Sequence, residues 1–232
     1  VLLSFGLTVT TLTLGGQWAL HQSIFRVQHV TLLGARHESP ARVLAASGLT
    51  RHPTMLGLSA GSIKENLTSF PWIVGVSLEK RWPNTVVVTV HETLPVAVAF
   101  NAKHVLQYVN AAGRDLGVAP LHSNYPTLTY LHPRNASWPY DRAGRSAALV
   151  AGELLLKAKA FNTQVSVISV DAAGEVTLQM TTPVEFFLGP ATDLTAKFVA
   201  IASVIAHTTL RPGDVVDVRV PDELAVTGPA PS

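Results

Sequence analysis

The stretch Phe70-Pro71-Trp72-Ile73-Val74-Gly75-Val76-Ser77-Leu78-Glu79-Lys80-Arg81-Trp82-Pro83-Asn84-Thr85-Val86, followed by His91-Glu92-Thr93-Leu94-Pro95-Val96-Ala97, decides how this chain is read. Val74, Val76 and Leu78 alternate with Gly75, Ser77 and Glu79, which is the period of a half-buried strand. Trp82-Pro83-Asn84-Thr85 then turns the chain into Val86, Val88 and Val90, again at period two, so the stretch reads as a hairpin. Trp72 and Trp82, each beside a proline, read as core-packing rings.

Upstream of the hairpin, residues 25–33 read as a strand that stops at Gly34. Ser39-Pro40 starts a short helix, with Ser as N-cap and Pro at its first position, and Gly48 ends it. A second helix begins at Ser59 or Ser62. Ser62-Ile63-Lys64-Glu65 fits a capping box, and Ile63, Leu67 and Phe70 recur at helical spacing until Pro71. The first block is therefore strand, helix, helix, strand, strand, and the pattern breaks at Leu94-Pro95-Val96.

Beyond Pro95, short alternating runs at 96–100, 105–109, 114–118, 165–170, 175–181, 184–188 and 215–220 indicate a strand-rich block. Helices are expected over 143–161 and from Asp193 onward. The latter places Leu194, Phe198, Ile201 and Ile205 on one face. Pro120, Pro126, Pro133 and Pro139 mark an intervening loop, and 121–138 fits no pattern. The fold class is α+β, with domains expected at 23–94 and 95–227 and a disordered tail at 228–232.

Residues 1–20 carry no charged side chain. A helix needs about 20 apolar residues to cross about 30 Å of hydrocarbon, so 1–22 is expected to be a transmembrane helix with Trp18 near the interface. A cleaved signal peptide is the rival, but no Ala-x-Ala-like site follows. The sequence opens on Val with no basic residue before the span, so an N-terminal piece is expected to be missing and orientation is not readable from flanking charge. The absence of cysteine leaves the redox compartment open. A net charge of +2 without a basic run gives no reason to invoke nucleic acid.

The hairpin string, the opening Phe25-Arg26-Val27, Tyr108-Val109-Asn110-Ala111-Ala112-Gly113 and the late Val216-Asp217-Val218-Arg219 occur in a definite order. Together they resemble the FtsQ/DivIB bacterial cell-division proteins, whose first extracytoplasmic module is a POTRA domain and whose second is a β domain. The resemblance implies a single-pass protein of the cytoplasmic (inner) membrane, anchored in the lipid bilayer by residues 1–20. Its bulk would be extracytoplasmic and concentrated at the division septum. It would act as a non-enzymatic divisome scaffold linking early and late division proteins. The implied partners are FtsB/DivIC-like and FtsL-like proteins and other divisome membrane proteins. The family receives its partner along the last strand, which corresponds here to 215–226. An exposed edge strand offers unpaired N–H and C=O groups for β-strand addition, with Val215, Val216, Val218, Arg219, Val220, Leu224 and Val226 as expected contacts.

Two other functions are open to this sequence. A POTRA-type chaperone or transport module is one, although such modules usually come in series ahead of a membrane barrel. An anchored cell-wall hydrolase is the other, because Gly57-Leu58-Ser59-Ala60-Gly61 matches a nucleophile elbow. An elbow needs a buried strand before the serine, and Arg51-His52-Pro53-Thr54-Met55-Leu56 is too short and contains proline, so Ser59 reads as a helix cap. The nine histidines form no metal-binding pattern, so no catalytic residue, cofactor or metal is expected.

Overall fold

A computed structural model of the chain describes residues 25–131 and 138–228. The expected transmembrane segment and tail residues 229–232 lie outside the described residues. No helix among the described residues is long and apolar enough to cross a membrane. Contacts divide the chain into two compact units, meeting between Thr93 and Leu94.

The first unit runs β1 (His29–Leu33), α1 (Pro40–Ala46), α2 (Ala60–Asn66), β2 (Ile73–Arg81) and β3 (Thr85–Glu92). The sheet order is β1-β3-β2, with β1 parallel and β2 antiparallel to the central strand. Val86, Val88 and Val90 of β3 share one face and pack with Val43, Ile63, Leu67 and Phe70 beneath the helices. Pro40 opens α1 as expected, although Ser39 contributes no side-chain cap. Ser59 caps α2. Its hydroxyl accepts the Ser62 N–H at 3.1 Å and the Ser59 N–H donates back to the Ser62 hydroxyl at 3.4 Å, so the capping box lies three residues upstream of the one expected at Ser62 and Glu65. Gly34 ends β1 at φ +87°, where a Cβ would lie 2.1 Å from the Val90 carbonyl oxygen, so only glycine fits.

At the far end of the hairpin, Glu92 ties down the loop after β1. Its carboxylate accepts N–H bonds from Arg36 (2.9 Å), His37 (3.1 Å) and Glu38 (3.3 Å) and from the His37 ring at Nδ1 (2.9 Å). The His37 ring stacks on Trp72 at 4.1 Å. The two tryptophans differ from the core role expected of both: Trp72 is half-buried, and Trp82 is 53% exposed.

The second unit contains β4 (Pro95–Phe100), β5 (Leu106–Asn110), β6 (Asp115–Val118), β7 (Thr127–Tyr130), α3 (Arg142–Lys157), β8 (Val165–Val170), β9 (Val176–Met180), β10 (Glu185–Gly189), α4 (Leu194–His207), β11 (Val215–Asp217) and β12 (Ala225–Thr227). Nine strands form one sheet in the order β12-β11-β10-β9-β8-β7-β4-β5-β6. α3 connects the parallel neighbours β7 and β8, and α4 connects the parallel neighbours β10 and β11. Parallel pairing requires such a crossover, and both helices join one core with Ile168, Leu178, Phe186 and Val216.

The region expected to be a loop around 120–139 instead supplies β7, a central strand between β4 and β8. Four residues flanked by Pro126 and a further proline give too short a pattern to be recognised. Pairing on both sides supplies what local propensity does not. Trp138, 1% exposed, stacks on Tyr130 at 5.3 Å and covers this strand. Gly144, in the first turn of α3, lets the Pro139 carbonyl approach to where a Cβ would lie only 1.7 Å away, while Asp141 caps its N–H at 2.8 Å.

Candidate functional site

The seven residues expected to meet a partner fall into two sets. Val216 pairs with Phe186 on one side and Val226 on the other, and the Val218 N–H donates to the Phe187 carbonyl at 2.9 Å. Both valines are fully buried in the core of the second unit. Half-buried Val215 also lies in β11, which is an interior strand and not the expected sheet edge. The strand run expected over 215–220 ends at Asp217, because the backbone turns at 220–223, where the Glu223 N–H meets the Val220 carbonyl at 3.0 Å. After that turn the chain returns as β12.

β12 forms the edge. All three of its residues, Ala225, Val226 and Thr227, are exposed. It pairs with β11 in the register Val215↔Thr227, Val216↔Val226 and Asp217↔Ala225, and no other strand pairs with it among the described residues. Val220 (52% exposed), Leu224 (39%) and Val226 (49%) are the surface members of the expected set. Ala225 and Thr227 were missed. Their signal is a β-favouring run between the acidic turn at Asp222-Glu223 and Gly228-Pro229, shorter than pattern reading resolves.

Arg219 stiffens the turn into this edge. Its Nη2 and Nε donate to Asp217 Oδ2 at 2.6 and 3.0 Å, and the guanidinium lies 5.9 Å from the centre of the Phe187 ring. The Arg219 hydrogen bonds hold the Asp217 carboxyl below its ordinary range, and Asp217 correspondingly raises the guanidinium. The pair is solvent-facing and serves geometry more than stability.

Beside the edge, α3, α4 and the segment leading into β12 enclose a groove of about 830 Å³. Leu149, Val199 and Leu224 give it an exposed apolar lining. Lys157 lies across one side, 2.6 Å from Glu153 and 3.1 Å from the Thr195 hydroxyl. An edge ladder beside an apolar groove can hold an extended segment by its backbone and grip apolar side chains that flank it. The serine of the elbow-like motif is occupied as the cap of α2, and no group of three His, Asp or Glu among the described residues is placed to hold a metal ion.

A family model described as the POTRA domain, FtsQ-type, matches residues 25–93, the span of the βααββ unit. Cell division protein FtsQ of Myxococcus fulvus is 31% identical over 100 residues, which cover 40% of this chain and 35% of that protein. Cell division protein DivIB of Geobacillus kaustophilus is 29% identical over 75 residues, 32% of this chain and 29% of that protein. Cell division protein FtsQ of Corynebacterium glutamicum is 26% identical over 90 residues, 39% of this chain and 40% of that protein. The matched stretches thus span between 29% and 40% of the length of these relatives. The FtsQ-type POTRA match and the similarity to relatives named FtsQ and DivIB together support a place for the chain in the FtsQ/DivIB family of cell-division proteins.

Proposed function

We propose that the chain is a non-enzymatic, membrane-anchored scaffold of the divisome that receives a partner by β-strand addition on β12. The observation that carries this reading is the solvent-exposed β12 at the end of a nine-stranded sheet, with its outer side unpaired by any described strand. A sheet edge of this kind binds through main-chain hydrogen bonds, and side-chain pockets beside it select the partner. The partner is an FtsB/DivIC-like protein, with FtsL-like protein in the same assembly. Leu224 and Val226 contact the added strand, and the groove beside α4 takes an apolar flank. Val220 borders that surface, and Arg219 holds the turn in place. Residues 1–20 span the cytoplasmic membrane, and both folded units lie outside the cytoplasm at the septum.

Titration of the full chain in detergent with the extracytoplasmic segment of an FtsB/DivIC-like protein tests the site. Leu224→Glu places an unpaired charge against an apolar partner surface, at a cost of about 2–3 kcal/mol, so affinity should fall by roughly a hundredfold. Unchanged affinity in a folded variant moves the site off this edge. Protease added to intact spheroplasts should digest the folded body, and protection until the membrane is opened would reverse the orientation.

A further inference from the structure

Trp82 is an unusual residue for the tip of a hairpin: a large ring, more than half exposed, outside the buried core of its unit. Its position is set by where the chain enters the fold. The Asn84 carbonyl accepts the N–H groups of Gln28 (2.9 Å) and His29 (3.2 Å), and the Asn84 amide donates to the Gln28 side chain at 3.1 Å. The Phe25 ring meets Trp82 edge to face at 5.9 Å. The Phe25 carbonyl in turn accepts the Met55 N–H at 2.8 Å, and the next residue, Leu56, is 49% exposed. The turn of the β2–β3 hairpin and Leu56 are therefore fastened to the first residues of the folded unit.

Five residue steps separate Leu20, the last residue of the 1–20 segment, from Phe25, and fully extended they reach at most about 18 Å. If residues 1–20 span the bilayer, this end of the unit is held beside the headgroups, and the opposite end of β2 is about 26 Å farther along the strand. Indole rings favour that zone, where an apolar body and a polar N–H are both accommodated. The charges fit as well. Arg26, Lys80 and Arg81 flank the tip, and Glu79, paired with Arg81 at 2.8 Å, is the one acid between residues 79 and 85. Cations at this depth attract anionic headgroups.

We infer that the Trp82 hairpin tip, together with exposed Leu56 next to the Met55 that bonds Phe25, inserts into the lipid headgroup boundary and gives the POTRA domain a second membrane contact that sets its tilt on the anchor. The inference rests on residues 1–20 being a transmembrane anchor. The test uses the full chain in vesicles of phosphatidylethanolamine and phosphatidylglycerol brominated near the carbonyl end of the acyl chain. Trp18→Phe removes the tryptophan of the anchor segment, leaving Trp72, Trp82 and Trp138. The lipid should quench on the order of one third of the remaining emission, and this component should disappear in Trp18→Phe/Trp82→Phe. Near-UV circular dichroism verifies that both variants are folded. Absence of quenching in Trp18→Phe protein that withstands alkaline carbonate washing overturns the inference. Quenching that persists in the double variant also overturns it, because another ring must then touch the lipid. Protein that washes off the vesicles, with Trp18 unquenched in the unsubstituted chain, overturns the anchor reading and this inference with it.

Discussion

Val216 and Val226 face each other across β11 and β12, yet one is fully buried and the other 49% exposed, so substituting them should separate folding from binding. Val216→Ala removes two methyl groups from a closed core. At about 0.8 kcal/mol for each carbon plus the cavity left behind, the expected loss is about 2–3 kcal/mol of stability. Val226→Glu leaves the core untouched and should change stability by no more than about 0.5–1 kcal/mol. Its effect falls on the partner, where burial of an unpaired carboxylate should cost about 3 kcal/mol, or roughly a hundredfold in affinity. Urea denaturation followed by near-UV circular dichroism, beside calorimetric titration with the FtsB/DivIC-like segment, reads both quantities. Val218→Pro is the contrasting control. It deletes the N–H that bonds Phe187 inside the sheet, so about 3 kcal/mol of stability should go and any loss of binding reports unfolding. Should Val226→Glu lower the denaturation midpoint as far as Val216→Ala, β12 is part of the core and the edge reasoning fails. If binding by the folded Val226→Glu variant is unchanged, the partner docks elsewhere.

Two further outcomes concern the POTRA domain. Burial alone would raise the Glu92 carboxyl, but hydrogen bonds from the His37 ring and from the His37, Arg36 and Glu38 backbone outweigh it and hold the group below its ordinary range. Its contribution is therefore complete above the unfolded value of about 4.3 and is lost as pH falls through the lower folded value. Glu92→Gln should flatten the acid side of the stability profile followed by tryptophan fluorescence, and parallel profiles for the two proteins would refute this assignment. Ser59→Ala should cost about 0.5–2 kcal/mol as the loss of a helix cap while leaving division intact in a complementation assay. Loss of division at unchanged thermal stability would revive the hydrolase reading.

The order of elements in the first unit was legible in the sequence because each signal is local. Period-two valines mark β2 and β3, Ser-Pro opens α1, and Ser59 stands where a cap must stand before Ile63 and Leu67. The resemblance to FtsQ/DivIB proteins was carried in part by this unit, where the family model matches residues 25–93, and in part by Tyr108-Val109-Asn110-Ala111-Ala112-Gly113 and Val216-Asp217-Val218-Arg219 beyond it. What remained hidden depends on partners distant in the chain. Alternation in 215–220 looks the same for an edge strand and an interior one, and only the pairing of β11 with both β10 and β12 makes Val216 and Val218 core residues. β7 is a central strand of four residues because β4 and β8 enclose it, a fact that no window around Thr127 contains. Trp82 carries the same local signature as a packed ring beside proline. Its exposure follows from the turn geometry that fastens it to Phe25, fifty-seven positions earlier in the numbering. Composition and period determine which faces can be buried, whereas long-range pairing decides which faces are.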